Sequence, residues 1–311
     1  MVPRRRWPKV AAMSHESKRR FRLGSLVKLL LLLAAGAVAL LVAAAVAAYV
    51  WKGSHPSFLA QQPRAAHAKF MAAGLKLHAP PGRGPFPTVL LIPGCGGIRG
   101  ARGPNPIMDE YAQSALQAGW AAAILDSYGP RGWDPDWARR RVCAGARLQG
   151  LFRTADILAG LDLLAKDPRV DHGHVRVAGW SHGGWALGDL VTLHGDADFQ
   201  RTMAGVEAIR LTYPFCAPPA RGGRRDWTWS GGVDLVLAEG DVVQPPAGCT
   251  PLIERAEAAG GKVSVTMVPG VTHAFDERVQ TPQSAFRFDP AATAQIHRQF
   301  IDWLRTPAPP R

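Results

Sequence analysis

The chain has 311 residues, 47% of them hydrophobic, with 37 Lys or Arg against 24 Asp or Glu for a net charge of +13. That apolar fraction excludes a disordered chain, and the charge is not a nucleic-acid footprint, because it is concentrated at one end. Nine basic residues and Glu16 precede residue 29, a net of +8 that leaves only +5 on everything after it.

In chain order, residues 1–28 form a basic tail, and Leu29 to Trp51 follow as 23 residues without a charge, flanked by Lys28 and Lys52. As a helix the apolar run extends roughly 35 Å, which suits a bilayer core that needs about 20 residues. A cleaved signal peptide has a shorter apolar core, about 7 to 15 residues, so the length favours an uncleaved transmembrane anchor; the small pair Ala45 and Ala47 keeps cleavage open. Basic residues stay on the cytoplasmic side. The expected placement is therefore a single pass through the cytoplasmic membrane, amino terminus inside and the remaining chain periplasmic or extracellular. Met13 is an alternative start that would retain Lys18, Arg19, Arg20 and Arg22. After a linker at 52–64, residues 65–306 are long enough for one domain with a single core, and 307–311 read as a disordered tail.

Within that domain, apolar β-branched runs at Thr88 to Ile92, Trp120 to Leu125, Val175 to Gly179, Ala208 to Tyr213, Val233 to Ala238 and Lys262 to Val268 alternate with helical patterns. Such alternation predicts an α/β fold with a mostly parallel central sheet flanked by helices. Gly179-Trp180-Ser181-His182-Gly183 joins a predicted strand to a predicted helix and has the Gly-x-Ser-x-Gly form of a nucleophile elbow. With Ser181 as nucleophile, the chain order nucleophile, acid, base directs the search downstream. Asp241, in the turn after the strand ending at Ala238, is the candidate acid, with Glu239 as runner-up. His273, in a loop past the strand ending at Val268, is the candidate base; His297 reads as a surface position on a helix over 291–304. Asp126 precedes the serine and reads as structural or substrate-facing. The backbone N–H groups of Cys95 and His182 are the candidate oxyanion donors. The His182 side chain is not required by the chemistry and reads as packed or exposed, and a Cys95 thiol nucleophile lacks a base of its own. His172 and His174 lack matching ligands and read as the turn before the nucleophile strand, so neither metal nor organic cofactor is expected.

Leu90 to Gly97, Ile124 to Gly132, Gly179 to Gly184, Gly240-Asp241 with Pro245, and Pro269-Gly270-x-x-His273-Ala274-Phe275 together resemble the dienelactone hydrolase family of the α/β-hydrolase superfamily, over roughly residues 65 to 306. The resemblance implies the α/β-hydrolase fold and a carboxylic ester, including lactone, as substrate. Founding members of the family carry cysteine where this chain has Ser181, so a serine esterase is expected and the dienelactone substrate is not carried over. A peptidase or acyltransferase on the same triad, and a catalytically silent binding protein, are the alternatives. Tyr128, Arg131 and Trp180 are candidate substrate contacts. The segments 129–150 and 217–232, rich in Trp and Arg, either wall the pocket or pack their aromatics beneath basic loops. The expected partners are a small ester and, through the helix, the membrane. Cys95, Cys143, Cys216 and Cys249 permit three complete pairings; Cys143 to Cys216 is a candidate bridge between the two segments, with free thiols as the alternative.

Overall fold

A computed structural model describes residues 15–54, 63–100, 103–195, 197–280 and 284–308. The first part of the basic tail with Met13, most of the linker and the last three residues lie outside the described residues. The chain divides into two compact units, one ending at Val50 and one beginning at Trp51.

The first unit is built on the helix α1 (His15–Ser54). Its stretch Val27–Lys52 is long and apolar enough to cross a membrane, and large side chains such as Leu32, Leu40 and Leu41 are exposed. These are the length and composition of a membrane anchor or of a signal sequence.

The second unit is an α/β sandwich. In chain order it contains α2 (Arg64–Met71), β1 (Leu75–His78), β2 (Phe86–Ile92), the short ladder β3 (Arg99–Gly100) and β4 (Gly103–Pro104), then α3 (Ile107–Gln117) and β5 (Ala121–Leu125). There follow α4 (Pro135–Cys143), α5 (Gly150–Leu164), β6 (Val170–Trp180), α6 (His182–Leu190), α7 (Ala197–Ala204), β7 (Val206–Thr212), β8 (Gly232–Ala238), α8 (Thr250–Ala258), β9 (Val263–Val268) and α9 (Pro290–Arg305). Seven strands form one sheet in the order β1-β5-β2-β6-β7-β8-β9. All neighbours are parallel except β1, which runs antiparallel on β5.

The strands are apolar on both faces because both faces are covered. Along β2, Val89 and Leu91 join the cluster of Tyr111, Ile296 and Phe300 from α3 and α9, while Leu90 and Ile92 join Ile157, Leu161 and Leu187 from α5 and α6. The period of two in a strand divides these four residues between two cores. In α9, Ile296, Phe300 and Leu304 recur every fourth residue on the buried face, and the Asp289 carboxylate caps the helix by accepting from the Ala292 N–H at 2.8 Å.

Three expectations change here. The segment Asp171-His172-Gly173-His174 belongs to β6 and sits where its register against β2 shifts, so it is an irregularity inside the strand and not a turn before it. His297 is half-buried: its Nδ1 lies 2.7 Å from the Ser114 hydroxyl and its ring stacks on Tyr111 at 4.2 Å. The cysteines pair as Cys95–Cys143 and Cys216–Cys249, which replaces a Cys143 to Cys216 bridge. The two segments that bridge was to join are each tied to their own neighbouring loop.

The chain steps outward from β2 to β5 and then returns across β2 to β6. At such a reversal the loops leaving β2 and β6 diverge and open a crevice at the carboxyl ends of the strands.

Candidate active site

The loop after β6 contains Ser181, which adopts φ 49°, ψ −111°. A non-glycine residue rarely holds that backbone conformation, and close packing enforces it here. A Cβ on Gly183 would lie 2.3 Å from the Ile92 carbonyl oxygen, and one on Gly179 2.7 Å from the Gly183 backbone. The two glycines let the strand reverse directly into α6. The Ser181 N–H donates to the Thr212 carbonyl at 2.9 Å and its carbonyl accepts from the Trp185 N–H at 2.9 Å, so both backbone groups are engaged and the hydroxyl is left to project.

That hydroxyl is 2.9 Å from His273 Nε2, and His273 Nδ1 is 2.7 Å from Asp241 Oδ2. The remaining Asp241 oxygen accepts the N–H groups of Val243 and Gln244 at 2.8 and 2.9 Å. Both Asp241 and His273 are buried, and the imidazole lies between the rings of Tyr213 and Phe286, with centroids at 4.9 and 5.2 Å. The acid turn and the base loop are laced together: Gly240 N–H donates to Val271 C=O, and Gly270 N–H donates to the Glu239 carboxylate at 2.8 Å. Glu239, the runner-up acid, thus ties down the base loop from an exposed position. Ser181, His273 and Asp241 form one hydrogen-bonded line, although His273 lies 92 residues along the chain from Ser181 and 32 from Asp241.

The loop after β2 lies against the serine, since a Cβ on Gly94 would sit 3.5 Å from Ser181 Cβ. It contains Cys95, and His182 begins α6. Among the described residues neither backbone N–H donates to a backbone acceptor outside regular elements. The His182 side chain is buried against Trp185, with Nδ1 3.3 Å from Arg153 Nη1. Burial, aided by the Arg153 charge, holds the His182 pKa well below the ordinary histidine value, so this imidazole is neutral, and of the two sequence readings it is the packed one.

Two of the three candidate substrate contacts are employed elsewhere. Trp180 is 1% exposed and packs on Tyr111 and Phe300, inside the core cluster that also holds Tyr213 and Phe275. Arg131 makes two hydrogen bonds of 2.9 Å to the buried Asp156 carboxylate, which also meets His67 Nε2 at 2.8 Å. Tyr128 is buried, and its hydroxyl donates to the Cys95 carbonyl at 2.9 Å. Asp126 caps the turn that follows it, accepting from the N–H groups of Tyr128 and Gly129. In the segment 217–232, Trp227 and Trp229 are buried, with their indole N–H groups donating to Gly222 and Met203 carbonyls, so these aromatics pack beneath the loop. Trp133 and Trp137 remain partly exposed beside Tyr128.

Sequence reasoning missed a buried group behind the base. Asp276 accepts hydroxyl protons from Tyr111 at 2.7 Å and Tyr213 at 2.5 Å. Burial pushes its carboxyl above the ordinary range, opposed by those two donors. The group fixes Tyr213, on whose ring His273 rests. Its one sequence signal is an aspartate three residues past the histidine, directly after Ala274-Phe275.

A parallel sheet with an antiparallel first strand, a strained serine after its central strand, and an acid and a histidine presented from the next loops define an α/β-hydrolase. The sequence matches the dienelactone hydrolase family over residues 75–307, and the chain belongs to that family; membership makes it a carboxylic ester hydrolase. Similar solved structures include a dienelactone hydrolase, so assigned provisionally, from Klebsiella pneumoniae (TM-score 0.56, 13% identity, 75% of this chain and 92% of that one). A dienelactone hydrolase-like promiscuous phosphotriesterase from metagenomic libraries gives a TM-score of 0.55 at 18% identity, covering 74% and 90%. A carboxylesterase from Lactobacillus plantarum gives 0.52 at 14% identity, covering 74% and 90%. At these identities the structures speak to the fold. Comparison with curated proteins finds no match.

Proposed function

We propose that the protein is a membrane-anchored serine esterase that works through an acyl-enzyme on Ser181. The observation that carries the reading is the continuous hydrogen-bond line from Asp241 through His273 to the Ser181 hydroxyl. As Ser181 Oγ attacks the ester carbonyl, His273 Nε2 takes the hydroxyl proton. Asp241 holds the Nδ1–H tautomer and stabilises the imidazolium. The carbonyl oxygen becomes an oxyanion facing the N–H groups of Cys95 and His182, where one donor contributes about 3 kcal/mol to lowering the barrier. Collapse breaks the ester C–O bond, and the alcohol departs with the proton held by His273. Water, deprotonated by His273, then cleaves the acyl-serine, returns the proton to Ser181 and releases the acid.

In this reading residues 65–306 are the catalytic domain, 29–51 the anchor and 1–28 the cytoplasmic tail, with catalysis outside the membrane. Steady-state hydrolysis of short-chain, aryl and lactone esters tests the proposal. Ser181→Ala and His273→Ala should both lose turnover with every ester that the wild type cleaves. Acceptor competition tests the transferase alternative: product partitioning to added alcohols or amines in place of water would displace hydrolysis as the reaction.

A further inference from the structure

The loop after β2 has three glycines, Gly94, Gly96 and Gly97, around the Cys95 N–H that the proposed mechanism uses as an oxyanion donor. Glycine-rich backbone has no intrinsic reason to hold one orientation, yet an oxyanion donor works only if it is already in place when charge develops. Three attachments hold this loop. Arg153, buried below it, donates Nη1–H to the Pro93 carbonyl at 2.8 Å. The Tyr128 hydroxyl donates to the Cys95 carbonyl at 2.9 Å; burial pushes the phenol pKa up to about 12, so it stays a donor at any working pH. The Cys95 side chain is bonded to Cys143, with the two Cα atoms 5.1 Å apart.

Cys143 is a rigid partner. It ends α4, whose amino end is capped by the Asp134 carboxylate accepting from the Trp137 N–H at 2.8 Å, and whose Ala138 and Val142 pack with Tyr128. Residue 95 is therefore gripped at its side chain and at its carbonyl, while among the described residues its N–H donates to no backbone acceptor outside regular elements and its neighbour Gly94 lies against Ser181. We infer that Cys143 is a positioning residue: through its bond to Cys95, and together with Tyr128, it sets the direction of the Cys95 N–H in the oxyanion site.

The inference rests on Ser181 acting as the nucleophile. Its test is the double variant Cys95→Ala/Cys143→Ala, which keeps both backbone N–H groups and removes only the tether. We expect kcat/KM to fall roughly tenfold to a hundredfold, with KM within about twofold, since the affected interaction forms in the transition state. The inhibition constant of a trifluoromethyl ketone, which forms a tetrahedral oxyanion on the serine, should rise by the same factor; a tether that only stabilised the fold would leave it unchanged. Tyr128→Phe should move both quantities in the same direction by a smaller factor. A folded double variant with wild-type kcat and ketone affinity overturns the inference. If the double variant does not fold, wild-type kinetics in both Cys143→Ala and Tyr128→Phe overturn it. Failure of the underlying nucleophile reading has a different signature, undiminished hydrolysis in Ser181→Ala.

Discussion

Ser181 pairs a reactive geometry with a costly backbone, and its neighbours determine whether that geometry persists. A methyl group on Gly183 would meet the Ile92 carbonyl at 2.3 Å, so Gly183→Ala must shift the loop after β2 together with the serine. We expect at least a hundredfold loss of kcat with the protein still folded, read by ester turnover alongside circular dichroism; the magnitude follows from the sensitivity of oxyanion geometry. Asp241→Asn should drop kcat by about 10⁴, because the amide presents the wrong tautomer partner to His273. Asp189, buried in α6, makes a pH prediction. Burial raises its carboxyl to about 7, against the Arg221 N–H and the nearby Arg221 charge. An acid whose folded pKa exceeds its unfolded value binds more protons in the native state, so stability is lost as pH rises from about 4 to about 7. The thermal midpoint of wild type minus that of Asp189→Asn should shrink across that window; a constant difference would contradict the shift. At this scale the hydrogen-bonded line of Ser181, His273 and Asp241 was legible because chain order and loop position constrain which residues can meet. Arg131 and Trp180 were misplaced because whether a side chain meets substrate, Asp156 or the core depends on neighbours distant in sequence.

Among the elements, the strands were legible where they are buried on both faces, since an apolar β-branched run marks them directly. β1 was missed: four residues at the sheet edge, alternating Leu75 and Leu77 with Lys76 and His78, give too short a signal. The strand β6 was cut short because His172 and His174 sit at its irregular, exposed end. The cysteine pairing was illegible in principle, as it depends on which loops the sheet brings together. The second disulfide adds a prediction here. Cys216 and Cys249 lie on either side of Gln244, whose Oε1 accepts the N–H groups of Cys216 and Ala217 at 2.9 Å, and the Gln244 N–H in turn reaches Asp241. Opening a loop of 33 residues costs about 4 kcal/mol in the chain-entropy treatment. Cys216→Ala/Cys249→Ala should therefore lower the thermal midpoint by several degrees, measured by calorimetry; an unchanged midpoint would show that the bridge does not constrain the unfolded chain.

For the whole molecule, the charge asymmetry and the apolar helix make the proposed placement testable. Full-length protein should remain with membranes through alkaline carbonate and leave them in detergent. Protease added to intact, sealed cells should remove the catalytic domain if it lies outside, whereas digestion only after lysis would reverse the orientation derived from the basic tail. Deleting the apolar helix is not expected to alter the chemistry, because each group in the proposed mechanism belongs to the unit that begins at Trp51. The central claim is the covalent one, and mass spectrometry tests it directly. Wild-type protein treated with a fluorophosphonate should gain one phosphonyl group on the peptide containing Ser181, and His273→Ala should react far more slowly. Modification elsewhere, or equal labelling of Ser181→Ala, would contradict the account.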